Sequence, residues 1–362
     1  MRIKKINIKN FKSLVDFELQ DLKPFCAFVG PNASGKSNIF EALEFTNFIS
    51  RFSFEASNFF SGRDIISFNP VDLGGHSEEA LMAFTFNDKI ALAYDFSFST
   101  IENEKSKLGS IGTYRNKLHS GAMLSITELN DLDKRKKFLK EWNNSGGQYE
   151  DDYEQFVDNF SRIFVGKHHL NRLPFYNGNL APDASNLSQI LGKVFEDDLK
   201  RKEFIEWLQV LIPEFKNIEL RKSGIDGKYQ FFLYEKASNK PFPQSLISDG
   251  TYNILALMAA VFQSNCPQFL CIEEPENGLH PQAIQLLVDF FREKCEEEGH
   301  HIWLNTHSQT LVKCLEIDEI ILINKVNGET KAKQLTKADN IDIKTDEAWL
   351  TNALGGGVLW SR

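Results

Sequence analysis

The chain has 362 residues, of which 42% are hydrophobic and 25% are charged, a composition typical of a soluble globular protein with about two domains. Its formal net charge of −9 argues against a generally basic surface that coats nucleic acid and leaves room only for a local basic groove. No apolar run reaches the ~18 residues that a membrane-spanning helix needs, and the N-terminus lacks the apolar core of a signal peptide. We therefore expect a cytoplasmic protein without a membrane partner.

The N-terminus alternates in polarity. Ile6 and Ile8 share one face of a predicted strand, and Val15 and Phe17 repeat the pattern, which indicates two antiparallel strands. The edge that they form is basic, and we interpret its lysines as a solvated strand face, the alternative being a DNA contact. These lysines are Lys4, Lys5, Lys9 and Lys12.

A glycine-rich loop follows an apolar strand predicted for residues 25–29. Residues 30–37 match G-x-x-x-x-G-K-[ST], and helical apolar spacing comes next. Gly30 and Gly35 let backbone N–H groups turn inward around a phosphate. The alternative interpretation of this motif is an ordinary glycine turn between strand and helix. Lys36 supplies a charge for the β- and γ-phosphates, and the Ser37 hydroxyl completes the coordination of Mg²⁺. The predicted nucleotide-binding residues here are Gly30, Asn32, Ser34, Gly35, Lys36, Ser37 and Asn38.

The middle of the chain changes in composition. A hairpin is predicted with strands over 81–86 and 90–98, and residues 101–184 then turn to charged and amide residues, which predicts a mostly helical insertion. This insertion separates an N-terminal part, 1–100, from a C-terminal part, 185–362.

Two helices and two strands are predicted after the insertion. Apolar residues recur at helical spacing over 187–199, and a second helix runs from Phe204 to Ile212, before Pro213. Strands are predicted near 218–221 and 229–234.

The C-terminal part carries further candidate site residues. A helix opens at Ser248, a short apolar strand over 269–272 ends in Glu273 and Glu274, and a strand over 302–305 precedes His307. A carboxylate pair directly after an apolar strand is costly without a cation partner, which favours a metal-binding role over a solvated acidic turn. His307 by itself is more typical of a satisfied core histidine.

Taken in order, these motifs resemble those of the ABC-type ATPases that include SMC proteins, RecF and the OLD-family ATPases. Residues 30–37 resemble the Walker A loop, 248–250 the ABC signature, 269–274 the Walker B strand, 277–281 the D-loop and His307 the switch histidine. The resemblance covers roughly residues 1–100 and 185–325. It implies an α/β fold, an ABC-type P-loop ATPase with a mixed sheet and N-terminal antiparallel strands.

The resemblance also implies cofactors and roles. ATP and Mg²⁺ are the expected cofactors, with Glu273 and Ser37 on the metal, Glu274 as the base that deprotonates water and His307 as the γ-phosphate sensor. Ser248 and Gly250 are expected to contact ATP bound to a second copy. A homodimer that sandwiches two nucleotides is therefore implied.

Two features depart from the usual ABC pattern. The magnesium-side position is Glu273 in place of the more usual Asp, which lengthens the arm and keeps the charge. No Q-loop glutamine is evident, because Gln148 and Gln155 lie inside the insertion and neither follows a clear strand.

The sequence of residues 272–281, Ile-Glu-Glu-Pro-Glu-Asn-Gly-Leu-His-Pro, is most similar to OLD-like ATPases, many of which serve in bacterial phage defence. The resemblance implies an ATP-driven switch that senses DNA or a phage component. One alternative is a RecF-like DNA-repair ATPase. Another is a transporter ATPase subunit, which the 212 residues between Lys36 and Ser248 (248 − 36) disfavour.

OLD-like nucleases carry a metal-dependent nuclease domain after the ATPase body, with clustered carboxylates. Only 55 residues follow His307 (362 − 307), near the lower limit for an independent domain. We interpret the carboxylates there as a solvated polar segment and expect nuclease or toxin activity in a separate effector protein. These carboxylates are Asp339, Asp342, Asp346 and Glu347.

Overall fold

The computed structural model describes residues 3–52, 78–86, 90–101, 105–117, 120–124, 156, 158–165, 178–224, 227–238, 240–339 and 347. Its strands fall into three sheets. In chain order the helices and strands are β1 (Ile3–Phe11), β2 (Leu14–Gln20), β3 (Phe25–Val29), α1 (Lys36–Phe52), β4 (Glu78–Phe86), β5 (Ile90–Ile101), β6 (Lys105–Lys117), β7 (Ser120–Leu124), β8 (Phe160–Ile163), α2 (Leu187–Val194), α3 (Asp198–Leu211), β9 (Phe215–Lys222), β10 (Tyr229–Glu235), β11 (Phe242–Pro243), α4 (Asp249–Phe262), β12 (Phe269–Glu273), α5 (Pro281–Glu297), β13 (His301–Thr306), α6 (Gln309–Val312), β14 (Ile320–Val326) and β15 (Glu329–Gln334).

The central sheet has the strand order β15-β14-β3-β13-β12-β8. Its strands run parallel except β15, which joins the edge antiparallel to β14. Every residue of β3, β12 and β13 is buried, as expected for a parallel sheet that is covered on both faces. Because parallel strands end at the same edge, the residues that follow Val29, Ile272 and Leu304 meet there.

The N-terminal strands belong to a second, antiparallel sheet with the order β2-β1-β4-β5-β6-β7. The predicted strand pair is confirmed, since Ile8 of β1 pairs with Phe17 of β2. The predicted hairpin is confirmed as well, with Phe86 of β4 opposite Ile90 of β5.

The helical prediction is wrong for the described start of the predicted insertion. Strands β6 and β7 extend the second sheet, and β8, which the prediction also placed in the insertion, lies beside β12 in the central sheet. The prediction rested on charged and amide residues, but an antiparallel strand with one solvated face accommodates them. Pairing along β5 decides the structure of 105–117. Residues 125–155, with Gln148 and Gln155, lie outside the described residues.

A third sheet, β11-β10-β9, confirms the strands predicted near 218–221 and 229–234. It packs with the helices into the same core as the central sheet. One buried cluster joins Leu191 of α2, Phe204 of α3, Phe231 of β10, Leu255 of α4 and Ile272 of β12.

The apolar pattern over 187–199 forms two helices and not one. Helix α2 ends at Val194, and α3 begins at Asp198, before the predicted start at Phe204. Asp197 is the N-cap of α3, because its side chain accepts hydrogen bonds from the backbone N–H groups of Leu199 at 2.9 Å and Lys200 at 3.2 Å. Leu199, in the first turn of α3, is 80% exposed.

Helix α4 is buried along its whole C-terminal part, from Asn253 to Phe262. A helix that is apolar on all sides belongs in a protein core or in a membrane, and residues 254–262 of α4 lie in the core cluster. Among the described residues, no helix combines the length and the apolar character that crossing a bilayer requires.

Helix α3 provides a matched test of this packing. Phe204 is fully buried, and its ring lies 5.4 Å from the rings of Phe195 and Phe262. We expect Phe204→Ala to lower the free energy of unfolding by about 3–5 kcal/mol, measured by urea denaturation. Leu199→Ala on the same helix should change it by less than about 0.5 kcal/mol. Equal losses in the two variants would contradict the assigned helix face.

Candidate active site

The glycine-rich loop joins β3 to α1 and packs tightly against two neighbouring strands. A Cβ on Gly30 would lie 2.1 Å from the backbone oxygen of Ile323 in β14. Gly35 has φ +100°, and a Cβ there would lie 1.9 Å from the Thr330 Oγ1 of β15. Both positions therefore require glycine, for space and, at Gly35, for backbone conformation.

Two residues that the motif search missed hold the loop from behind. Ser13 and Thr330 share a hydrogen bond of 2.6 Å between their hydroxyls, and Thr330 Oγ1 donates to the Ser34 carbonyl oxygen at 2.9 Å. Asn38 Nδ2 donates to Ser13 Oγ at 2.7 Å, so the predicted nucleotide-binding amide of Asn38 contacts this support.

The remaining loop residues differ in exposure. Asn32 is exposed, whereas Ser34 is 2% exposed and its hydroxyl has no hydrogen-bond partner among the described residues. A buried hydroxyl without a partner is a group that a bound ligand can satisfy. Helix geometry likewise leaves the N–H groups in the first turn of α1 without intrahelical acceptors. The loop therefore fits a phosphate chain.

Lys36 lies folded back onto its own loop. Its Nζ donates to the carbonyl oxygens of Gly30 and Pro31, each at 2.7 Å. Burial lowers the pKa of Lys36 to about 8, against the opposing attraction of Glu274 and Glu273. The ammonium is thus poorly solvated and positioned to exchange its carbonyl acceptors for phosphate oxygens.

The residues predicted to bind magnesium come together from helix α1, strand β12 and strand β13. Ser37 Oγ donates to Glu273 Oε2 at 2.6 Å, and Asn305 Nδ2 lies 3.3 Å from Ser37 Oγ and 3.4 Å from Glu273 Oε2. Asn305 Oδ1 is buried and has no partner among the described residues. Hydroxyl, carboxylate and amide oxygens are the donors that Mg²⁺ prefers, so these residues fit the ion that the motifs imply.

Arg162 also contacts Glu273, and sequence reasoning missed it. Its Nε donates to Glu273 Oε1 at 2.6 Å, and its Nη1 donates to Glu44 Oε2 at 2.8 Å. Burial disfavours the charged guanidinium, but the carboxylates of Glu273, Glu44 and Glu41 outweigh burial and raise the pKa of Arg162. Arg162 is therefore a permanent cation beside the predicted metal ligand.

The predicted base and sensor lie opposite each other. Glu274 Oε1 is 3.6 Å from His307 Nδ1, and Asn277 Nδ2 donates to Glu274 Oε2 at 2.9 Å. Glu274 has φ +49°, a strained conformation for this residue, and its N–H donates to the Asn305 carbonyl oxygen at 2.8 Å. A backbone outlier fixed in this way is typical of functional sites.

Glu276 is a second buried carboxylic acid in the same turn. Thr306 Oγ1 donates to Glu276 Oε1 at 2.5 Å and accepts from the Ser308 N–H at 3.0 Å. Burial raises the pKa of Glu276. This bond ties the turn after β12 to the end of β13, and so fixes the spacing of Glu274 and His307.

The signature segment lies at the start of α4 and contacts the D-loop-like turn. Ser248 caps the helix, with Oγ accepting from the Thr251 N–H at 3.2 Å, and is exposed. A Cβ on Gly250 would lie 2.4 Å from the Gly278 carbonyl oxygen. Asn253 Nδ2 donates to the carbonyl oxygens of residues 275 and 277 at 3.0 and 2.9 Å.

Of the four C-terminal carboxylates, the structure describes Asp339 and Glu347. Asp339 Oδ2 accepts from the Thr336 N–H at 2.9 Å and from its hydroxyl at 2.8 Å, which is a turn-capping role. Glu347 is exposed, and Asp342 and Asp346 lie outside the described residues. Within the described residues, no group of three or more His, Cys, Asp or Glu side chains is placed to hold a metal.

The fold and the site define a P-loop ATPase of the ABC type with the architecture of an SMC head. The SMC head domain from Thermotoga maritima has a TM-score of 0.50 and 16% identity, over 93% of this chain and 100% of that chain. An SMC head bound to the C-winged helix domain of ScpA has a TM-score of 0.58 and 17% identity, over 93% and 98%. These likenesses confirm the predicted α/β fold.

The chain belongs to the family described as AAA domain, putative AbiEii toxin, Type IV TA system, whose model matches residues 25–313. It is 23% identical over 366 residues to an ATP/GTP phosphatase of Helicobacter pylori, covering 93% of each. It is 25% identical over 268 residues to the chromosome partition protein Smc of Methanocaldococcus jannaschii, covering 70% of this chain and 21% of that protein. The predicted SMC- and RecF-related class of ABC-type ATPases is confirmed.

Lys36 gives the site a pH dependence. The free protein loses the Lys36 proton as the pH rises through about 8, whereas bound phosphates favour the charged form. ATP affinity should therefore fall above pH 8, by up to about tenfold per pH unit, measured by titrating a fluorescent ATP analogue from pH 7 to 9.5. Lys36→Arg remains charged throughout, so any affinity that it retains should not fall. A flat wild-type profile to pH 9.5 would contradict the assignment.

Proposed function

We propose that this protein is a cytoplasmic, ATP-hydrolysing switch in which two copies close around two ATP molecules. The observation that carries the proposal is the meeting of three groups at one edge of the central sheet. These are the phosphate-binding loop with Lys36, the Ser37–Glu273 pair and the Glu274–His307 pair. Phosphate binding, metal binding and water activation each have a residue of suitable chemistry there.

Hydrolysis then follows from the positions of these side chains. The loop N–H groups and Lys36 would bind the phosphates, while Ser37, Glu273 and Asn305 would hold Mg²⁺, which would neutralise charge on the phosphates. Asn277 occupies Glu274 Oε2, which leaves Oε1 to accept a proton from the attacking water. His307, beside that oxygen, contacts the γ-phosphate and responds to its loss.

The assignment of the base can be tested by removing its charge. Glu274→Gln keeps the phosphate loop and the metal ligands, so we expect ATP binding within about threefold of wild type and hydrolysis reduced by at least about 100-fold. Phosphate release and nucleotide titration measure the two quantities. Glu206→Gln, an exposed acid on α3, should retain full activity. Wild-type turnover by Glu274→Gln would rule out Glu274 as the base.

The closed dimer is supported by the exposed signature segment. Ser248 is exposed at the start of α4, and Leu246 two residues earlier is 69% exposed. A polar helix start next to an exposed leucine is a surface that a second copy can cover. ATP that contacts both copies favours the closed state by its differential affinity.

A bulky charge at Ser248 tests this arrangement. We expect the Glu274→Gln protein with ATP and Mg²⁺ to have twice the 41.4 kDa chain mass in light scattering, because ATP bridges the copies and is not hydrolysed. Adding Ser248→Arg should leave a monomer. Asn265→Arg, exposed beyond the other end of α4, should leave a dimer. A monomer mass for the Glu274→Gln parent at high concentration would refute the sandwich.

For the cellular role, we infer a sensor or regulator ATPase of a bacterial antiviral-defence or toxin-type system that acts on a separate nuclease or toxin. The OLD-like sequence of residues 272–281 and the family description, which names a putative toxin, support this role. The basic N-terminal edge gives little support to the RecF-like alternative, because two of its lysines pair with carboxylates. Lys5 forms an ion pair with Glu18 at 2.8 Å, and Lys12 forms one with Glu41.

A further inference from the structure

Arg162 is a buried arginine whose position no ATPase motif explains. It lies on β8, level with Cys271 of the parallel strand β12. Side chains of a strand alternate between its faces, so Arg162 shares a face with Glu273, two residues beyond Cys271. The side chains of Arg162 and Glu273 are each only 2% exposed.

The guanidinium distributes its donors unequally. Both Nε and Nη2 donate to Glu273 Oε1, the former at 2.6 Å. The opposite side of the group meets α1, with Nη1 at 2.8 Å from Glu44 Oε2 and Nη2 at 3.5 Å from Glu41 Oε1. Helix α1 therefore fixes Arg162, and Arg162 in turn fixes one oxygen of Glu273.

The two oxygens of Glu273 consequently have different surroundings. Oε1 is occupied by Arg162, whereas Oε2 accepts from the Ser37 hydroxyl at 2.6 Å and lies 3.4 Å from Asn305 Nδ2. Only Oε2 is on the side of the predicted metal ligands. An aspartate would be shorter by one methylene, about 1.5 Å, and could not keep both 2.6 Å contacts from the same backbone position. This gives a physical reason for glutamate at 273.

We propose that Arg162 is a positioning residue that restricts Glu273 to single-oxygen contact with the nucleotide-bound cation and so favours Mg²⁺ over Ca²⁺. The inference rests on the proposed function. Mg²⁺ requires near-octahedral geometry and binds few carboxylate oxygens, whereas Ca²⁺ accepts a carboxylate through both oxygens. Partners that orient a metal ligand in this way commonly change metal affinity by about 10- to 100-fold when removed.

The test compares two ions of equal charge. In the Glu274→Gln background, which should bind ATP without hydrolysing it, a fluorescent ATP analogue reports the half-saturating concentrations of Mg²⁺ and of Ca²⁺. Loss of the Arg162 charge affects both ions alike, so the ratio of the two concentrations isolates geometry. We expect Arg162→Gln to shift this ratio toward Ca²⁺ by about tenfold.

Two further variants separate positioning from stability. Arg292→Gln removes a partly buried arginine that pairs with Glu319 at 2.8 Å, outside the candidate site, and should leave the ratio unchanged even if its melting temperature falls. Arg162→Lys keeps a charge against α1 but lacks the planar fork. It should shift the ratio in the same direction as Arg162→Gln, and it decides the test if that variant does not fold.

The outcomes are distinct. An unchanged ratio in folded Arg162→Gln, or in Arg162→Lys where it is the deciding variant, would overturn the positioning role while leaving the ATPase proposal intact. Absence of cation-dependent nucleotide binding in the Glu274→Gln parent would overturn the proposed function and this inference with it.

Discussion

A carboxylate buried at the end of a parallel strand is the constraint on which the rest of the site depends. Glu273 is 3% exposed, and an ionised carboxylate in such a place is tolerated only with donors or cations around it. They come from separate parts of the chain: Ser37 at the start of α1, Arg162 on β8 and Asn305 on β13. The strand order of the central sheet brings them together, so the packing that stabilises the core also assembles the chemistry.

The phosphate loop depends on a second set of contacts that reaches outside the central strands. The hydroxyls of Ser13 and Thr330 support the loop, and Ser13 lies in the turn between the first two strands of the antiparallel sheet. Lys12, beside it, pairs with Glu41, which also lies near Arg162. A chain of polar contacts thus connects the antiparallel sheet with both the phosphate and the metal sides of the site.

The candidate site residues that the sequence predicts are those whose motif is local in the chain. Gly35, Lys36 and Ser37 were predicted from their fixed spacing in a phosphate-loop motif, and Glu274 and His307 directly follow strands β12 and β13, whose apolar character was evident. Arg162 and Thr330 escaped prediction because their meaning depends on partners 111 and 296 residues away, which only strand pairing reveals. The strands β6 and β7 were missed for the same reason, since their polar residues carry no strand signal without β5 beside them. The start of α3 was predicted from apolar spacing alone, although Asp197 is a typical helix-capping residue at that position.

The contact between Gly250 and Gly278 has a consequence for how this protein can change over evolution. The backbones approach so closely that a single added methyl group at 250 would collide with the carbonyl of 278, and Gly278 itself has φ +74°. A substitution at either glycine would disturb this contact, so the start of α4 and the turn after β12 are constrained to change together in evolution. A chimaera that borrows α4 from a relative would have to borrow that turn with it, although the intervening residues 263–273, which include all of β12, could remain native.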